Sequence, residues 1–136
     1  MATTNEIGKA IYSILSGNAT VSGLVSTRIY PVVVPQDTSF PFVVFTITSE
    51  EPSHSKDGVS GLDVISFQVD CYGLEYDENT TLANAVRTAL DFYKGTIGGQ
   101  NVQRIRFQDV SDGEYDEDLG VFWKSLDFDA RLKRER

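Results

Sequence analysis

The sequence predicts an α+β fold: a single domain with an antiparallel or mixed sheet of about four to five strands and two main helices packed on one face. Three observations carry this expectation. Apolar residues recur at helical spacing in two separate stretches, one stretch alternates strictly, and aromatic or β-branched runs mark the others. The segments follow in the order helix, edge segment, strands, helix, strands, which sets helices on one side of a sheet. At 136 residues the chain has room for one core, because a chain of this size buries roughly two-thirds of its unfolded surface. The domain is therefore expected to span 1–136, with a short basic tail over about 131–136.

The first element is a helix from about Thr4 to Ser16, in which Ile7, Ala10, Ile11, Ile14 and Leu15 fall on one face. Thr3 and Glu6 have capping-box spacing at its start, and Gly17-Asn18 supplies a stop. A short second turn over Val21 to Val25 follows in the polar bridge. Arg28-Ile29-Tyr30-Pro31-Val32-Val33-Val34-Pro35 contains two residues that cannot donate to a ladder, so it belongs at a sheet edge or in an extended connection. Phe40 to Thr48 is apolar on both alternating faces and suits a central strand covered on two sides.

Ser49 to Gly61 is polar and rich in turn formers, a loop or a long hairpin tip. Ile65, Phe67, Val69 and Cys71 then face one way, while Val64, Ser66, Gln68, Asp70 and Tyr72 face the other, the mark of a half-buried strand. The second main helix begins near Asp77 to Thr80 and runs to about Tyr93, with Leu82, Val86, Ala89, Leu90 and Tyr93 inward. Lys94-Gly95 offers its C-cap. Strands over Val102 to Phe107 and Val121 to about Leu132 complete the pattern. Between them lies an acidic connection, Asp109 to Gly120.

A net charge of -8 and a pI near 4.5 repel phosphates, which argues against general nucleic-acid binding. The exception is Arg131-Leu132-Lys133-Arg134-Glu135-Arg136, a basic segment read as a solvated tail or a contact patch. A single cysteine leaves no intramolecular disulfide and no Cys-rich zinc site. No basic and apolar leader opens the sequence and no window approaches the roughly 20 apolar residues that cross a bilayer. A soluble, reducing, intracellular setting without membrane partners is expected.

No catalytic constellation emerges. The one histidine, His54, sits in the polar stretch Ser53-His54-Ser55-Lys56-Asp57, where a base would be poorly oriented. Cys71, on the inward face of a strand, is expected to have a raised pKa and little access. Calcium binding by the acidic connection fails on spacing: aligning Gly113 with the turn glycine of an EF-hand loop puts Gln108, Val110 and Leu119 at ligand positions, and only Asp112 matches. Gly95-Thr96-Ile97-Gly98-Gly99 lacks the Lys-Ser/Thr of a phosphate-binding loop and reads as turn chemistry. No cofactor and no metal are expected. Trp123 and the run from Phe40 to Phe45 are read as core, with a binding face as the alternative.

Charged positions of the polar segments are the candidate contact residues, for an interface or, under the resemblance given next, a lumen: Glu50, Glu51, Lys56 and Asp57; Asp109, Asp112, Glu114, Asp116, Glu117 and Asp118; and Arg131, Lys133, Arg134 and Arg136.

Taken in order, the N-terminal helix with Ile11 and Leu15, Arg28-Ile29-Tyr30-Pro31, Pro35-Gln36 and Phe40-Pro41-Phe42-Val43-Val44 resemble the tail completion (tail terminator) proteins of long-tailed bacteriophages, a family that includes tail-to-head joining proteins. The resemblance continues through Ser66 to Tyr72, Leu82 to Leu90 and Ser125 to Ala130. It implies a structural, non-enzymatic virion protein that forms a ring of six subunits on the head-proximal end of the tail tube, assembled in the cytoplasm of the host bacterium. Such a ring stops tube growth, presents a surface to the neck or connector, and lets DNA pass through it. An acidic lumen would suit that passage by like-charge repulsion. Two competing readings are a neck or minor tail adaptor of the same fold, and a small binding module or enzyme unconnected with phage.

Overall fold

In the computed structural model, which describes residues 7–55 and 58–133 (side chains of 52–62 excepted), the chain forms three helices and one six-stranded sheet. The elements run α1 (Ile7–Gly17), α2 (Ala19–Val25), β1 (Ile29–Pro31), β2 (Phe42–Ser55), β3 (Gly58–Gly73), α3 (Tyr76–Leu90), β4 (Gly95–Ile97), β5 (Gln100–Asp112) and β6 (Phe122–Lys133). The sheet order is β1-β2-β3-β6-β5-β4. It is mixed, because β1 runs parallel to β2 while every other pair is antiparallel.

The fold class stands, but the expected four to five strands and two helices become six and three. The additional pieces are short. β4 has three residues and α2 seven, lengths over which a period of two or 3.6 scarcely repeats. Gly98 and Gly99, both at positive φ, join β4 to β5 as a two-residue hairpin turn. α3 ends at Leu90, five residues before the glycine expected to cap it. Asp91 is the C-cap, and its side chain accepts from the Phe107 backbone N–H at 3.0 Å.

All five apolar residues expected on the first helix are buried. Its capping-box pair, Thr3 and Glu6, lies outside the described residues. The expected stop works as a start too: Asn18 accepts from the backbone of Thr20 and Val21 and so caps α2. The edge segment is β1, paired with Val43 to Phe45 of β2. The polar stretch is a hairpin and not an open loop, with β2 and β3 paired as far as Ser55 and Gly58 through register shifts after Ile47 and Ser53. His54 consequently lies within a strand, opposite Val59.

The core lies between the helices and one sheet face. Ile65, Phe67, Val69 and Cys71 of β3 and Leu126, Phe128, Ala130 and Leu132 of β6 are buried there with Ile11, Leu15, Leu82, Val86 and Leu90 of the helices. Phe67 stacks on Phe128 at 5.4 Å, and Phe107 meets Phe128 edge-on at 5.7 Å. Each such side chain contributes about 1.5–3 kcal/mol through burial before entropy is counted.

Candidate functional site

β2 and β6 begin, and β3 and β5 end, at one end of the sheet, where α3 also starts. Register sets Phe42, Tyr72 and Trp123 side by side on neighbouring strands, and on the face away from the helices their rings stack at 4.9 and 5.7 Å. This ladder was legible only as an aromatic run. Burial, followed by the Asp70 carboxylate, raises the Tyr72 pKa, so its hydroxyl stays protonated.

Beyond the ladder the chain turns tightly. The Trp123 indole N–H donates to the Glu114 carbonyl at 2.9 Å, and the ring lies so close to Gly113 that a Cβ there would fall 1.8 Å from Cε2. Only glycine fits under the indole. Asp116 then accepts from the backbone N–H groups of Asp118 and Leu119, and Gly120, at positive φ, completes the turn. The Asp116 carboxylate is thus used within the turn itself.

Tyr76, Phe122 and Tyr115 form a second aromatic group, with ring separations of 5.7 and 4.5 Å. Together with Trp123, Gly113, Asp112 and Asn79 they line a cavity of about 210 Å³. Asn79 is 1% exposed, and neither its amide nitrogen nor its amide oxygen has a hydrogen-bond partner among the described residues. Lys124 shows what the surroundings favour. Its ammonium lies 4.6 Å from the Tyr76 ring centroid and is paired with Asp112. Burial works against the Lys124 charge, but bonds to Asp112 and the Tyr76 hydroxyl outweigh it and raise the pKa.

The charged residues singled out in the sequence fall into two groups. Asp112, Glu114, Asp116, Glu117 and Asp118 gather at this end, with Asp109 a little farther along β5. Asp109 and Asp112 prove to be strand residues, not part of a loop. Arg131 and Lys133 stand at the opposite end, level with Val64 and Leu62 of β3 and near the exposed Glu50 and Glu51. Lys56, Asp57, Arg134 and Arg136 lie outside the described residues. Glu75, Asp77 and Glu78 at the start of α3 extend the acidic end, and Leu74 and Tyr76 add exposed apolar surface to it. Sequence reasoning missed Tyr76, Asn79 and Phe122 as cavity residues. The available signal was Asn79, three positions before Leu82 and seven before Val86, a polar side chain on the inward stripe.

The Cys71 thiol is fully buried, and that burial, ahead of the Asp70 charge, raises its pKa, which makes it a poor nucleophile. Among the described residues no group of three or more His, Cys, Asp or Glu could hold a metal ion. No helix among them is long and apolar enough to cross a membrane.

An end built of stacked aromatics, carboxylates and exposed apolar side chains offers a surface suited to protein contact. The chain belongs to the family described as tail completion protein gp17, whose model matches residues 9–133. It is accordingly a structural protein of the tail or neck, associated there with other tail or neck proteins. Its fold is similar to a chain from the virion of a native gene transfer agent particle, at 20% identity and a TM-score of 0.77, covering 97% of this chain and 98% of that one. A second solved structure matches at 10% identity and a TM-score of 0.55, with 99% of each chain covered. These two likenesses concern the fold. A search of the curated proteins finds no match.

Proposed function

We propose that this protein acts without enzymatic turnover as a ring of six subunits seated on the head-proximal end of the tail tube. There it halts tube growth and offers the surface to which the neck or connector binds. The observation that carries this reading, beyond family membership, is a pair of open sheet edges on opposite sides of the subunit. β1 covers β2 only over Val43 to Phe45. β4 covers β5 only over Gln100 to Val102, and two backbone bonds, from the Phe92 N–H to the Ile105 carbonyl and from the Ile105 N–H to the Tyr93 carbonyl, extend that cover to Ile105. Among the described residues, no strand pairs with the outer side of β2 past Phe45 or of β5 from Gln108 to Asp112. Contacts that join unlike sides of identical subunits generate rings when the rotation closes. Unpaired strand edges are ready partners for such contacts.

The net charge of -8 suits a passage through which DNA slides by like-charge repulsion. Light scattering coupled to gel filtration, followed by negative-stain microscopy with purified tail tubes, tests the reading. Rings capping tube ends are expected. Rings found solely between tubes and connectors, or subunits that never associate with tubes, would overturn it.

A further inference from the structure

Among the described residues, the large apolar side chains left in solvent form two groups and one outlier. Leu74, Tyr76, Val110, Tyr115 and Leu119 belong to the acidic end, while Tyr12, Val32, Val33 and Ile47 lie along the line where α1 meets β1 and β2. The outlier is Phe92, between α3 and β4.

Unfavourable backbone holds two of these residues out. Val32, at φ 63°, and Phe92, at φ 66°, occupy a region that bulky and β-branched L residues rarely adopt. Ser26 and Asp37, also at positive φ, are ordinary turn formers. The Val32 N–H donates to the Phe45 carbonyl at 2.9 Å and the Val33 N–H to the Pro31 carbonyl at 2.6 Å, a three-residue turn that leaves Val32 and Val33 66% and 71% exposed. Phe92 is 68% exposed, and its N–H is fixed to the Ile105 carbonyl on the outer side of β5. Backbone strain that survives at exposed apolar residues points to a function for them.

Beside Val32, a mostly apolar groove of about 510 Å³ is lined by Gly8, Lys9, Tyr12, Ser13, Pro31 and Phe45. A cavity of about 150 Å³ already admits a benzene ring, so the groove can take an aromatic side chain. Phe92 does not fill it within one chain: its ring is in solvent, and the groove adjoins β1, at the other end of the sheet order from β4. Charge favours a meeting between copies. The Arg104 guanidinium lies 5.4 Å from the Phe92 ring centroid, while Glu50 and Glu51 stand exposed on β2 just past Ile47. Opposite charges beside an apolar contact steer it and fix its register. A projection on one side and a socket on another join unlike sides of identical subunits, as a ring requires. We propose that Phe92 of one subunit inserts into the groove between Tyr12, Pro31 and Phe45 of the next copy of this chain, with Arg104 brought towards Glu50 and Glu51. This rests on the ring reading and supplies one of its contacts.

Phe92→Asn keeps a residue that tolerates positive φ and deletes the ring. The variant should melt no lower than the parent chain, yet the fraction of tail tubes it caps should fall roughly fivefold or more. Capping at the parental level would overturn the proposal. A second variant reads the contact directly: the full chain with the photoreactive residue p-benzoylphenylalanine at position 92, irradiated on tail tubes. Covalent multimers are expected, with the cross-links mapping to 8–13 and 31–45 of the neighbouring copy. Cross-links to the tube or connector alone, or none, would overturn a second copy as occupant. If Phe92→Asn melts lower, the photoreactive chain alone decides. If the parent chain caps no tubes, the ring reading fails, and irradiation of the photoreactive chain in concentrated solution decides separately whether two copies meet through this groove.

Discussion

Asp127 stands on the face of β6 turned away from the helices, between Gln68 of β3 and Asp109 of β5. Desolvation, then the charges of Asp109, Asp70 and Asp129, raise its pKa. A carboxyl whose folded pKa lies above its unfolded value destabilises the fold when ionised, and the penalty fades as pH falls through the folded pKa. Asp127→Asn should therefore stabilise the protein at neutral pH. The gain should be about 0.5 kcal/mol for an exposed cross-strand pair of like charges, shrinking in high salt and vanishing below the carboxylate range. Melting temperatures measured at two pH values and two salt concentrations check both signs. Gly113 is a second case in which one atom decides. Gly113→Ala would drive a methyl group into the indole, breaking the bond to Glu114 and costing about 1–3 kcal/mol by overpacking. A red shift in Trp123 emission should accompany the loss.

Elements form where local signals and burial agree. α2 is short enough that its cap matters in proportion: Asn18→Ala should cost about 1 kcal/mol and speed hydrogen exchange at the Thr20 and Val21 amides. The helix spacing around Ile11 and the alternation around Phe67 were plain in the sequence, because each repeats several times against a single buried face. The extent of β5 was not. Its expected end at Phe107 reflected the last apolar residue of a run, yet the ladder with β6 continues to Asp112 through exposed, charged positions. Backbone pairing needs no apolar side chain, so a strand that continues into solvent leaves no hydrophobic trace. The end of α3 was also missed, because Asp91 terminates it through a tertiary bond to Phe107 that local sequence does not announce. The charged residues were identifiable as a class, but their separation into an acidic end and an end of mixed charge follows from strand direction alone.

At the scale of the molecule, charge and edges set what the subunit can do. Contacts between opposite charges in the proposed ring should weaken as salt rises, so the fraction of capped tubes counted by microscopy should fall between low and high ionic strength. A purely apolar contact would show little change. The sheet order carries one more consequence. β6, late in the sequence, lies between β3 and β5 and contributes half of every pairing at the middle of the sheet. During synthesis the earlier strands therefore wait with their inner edges open until residues 122–133 have left the ribosome. A chain interrupted before that point would expose two long unsatisfied edges, a state that invites aggregation, so premature termination should yield insoluble fragments in place of shortened but functional subunits.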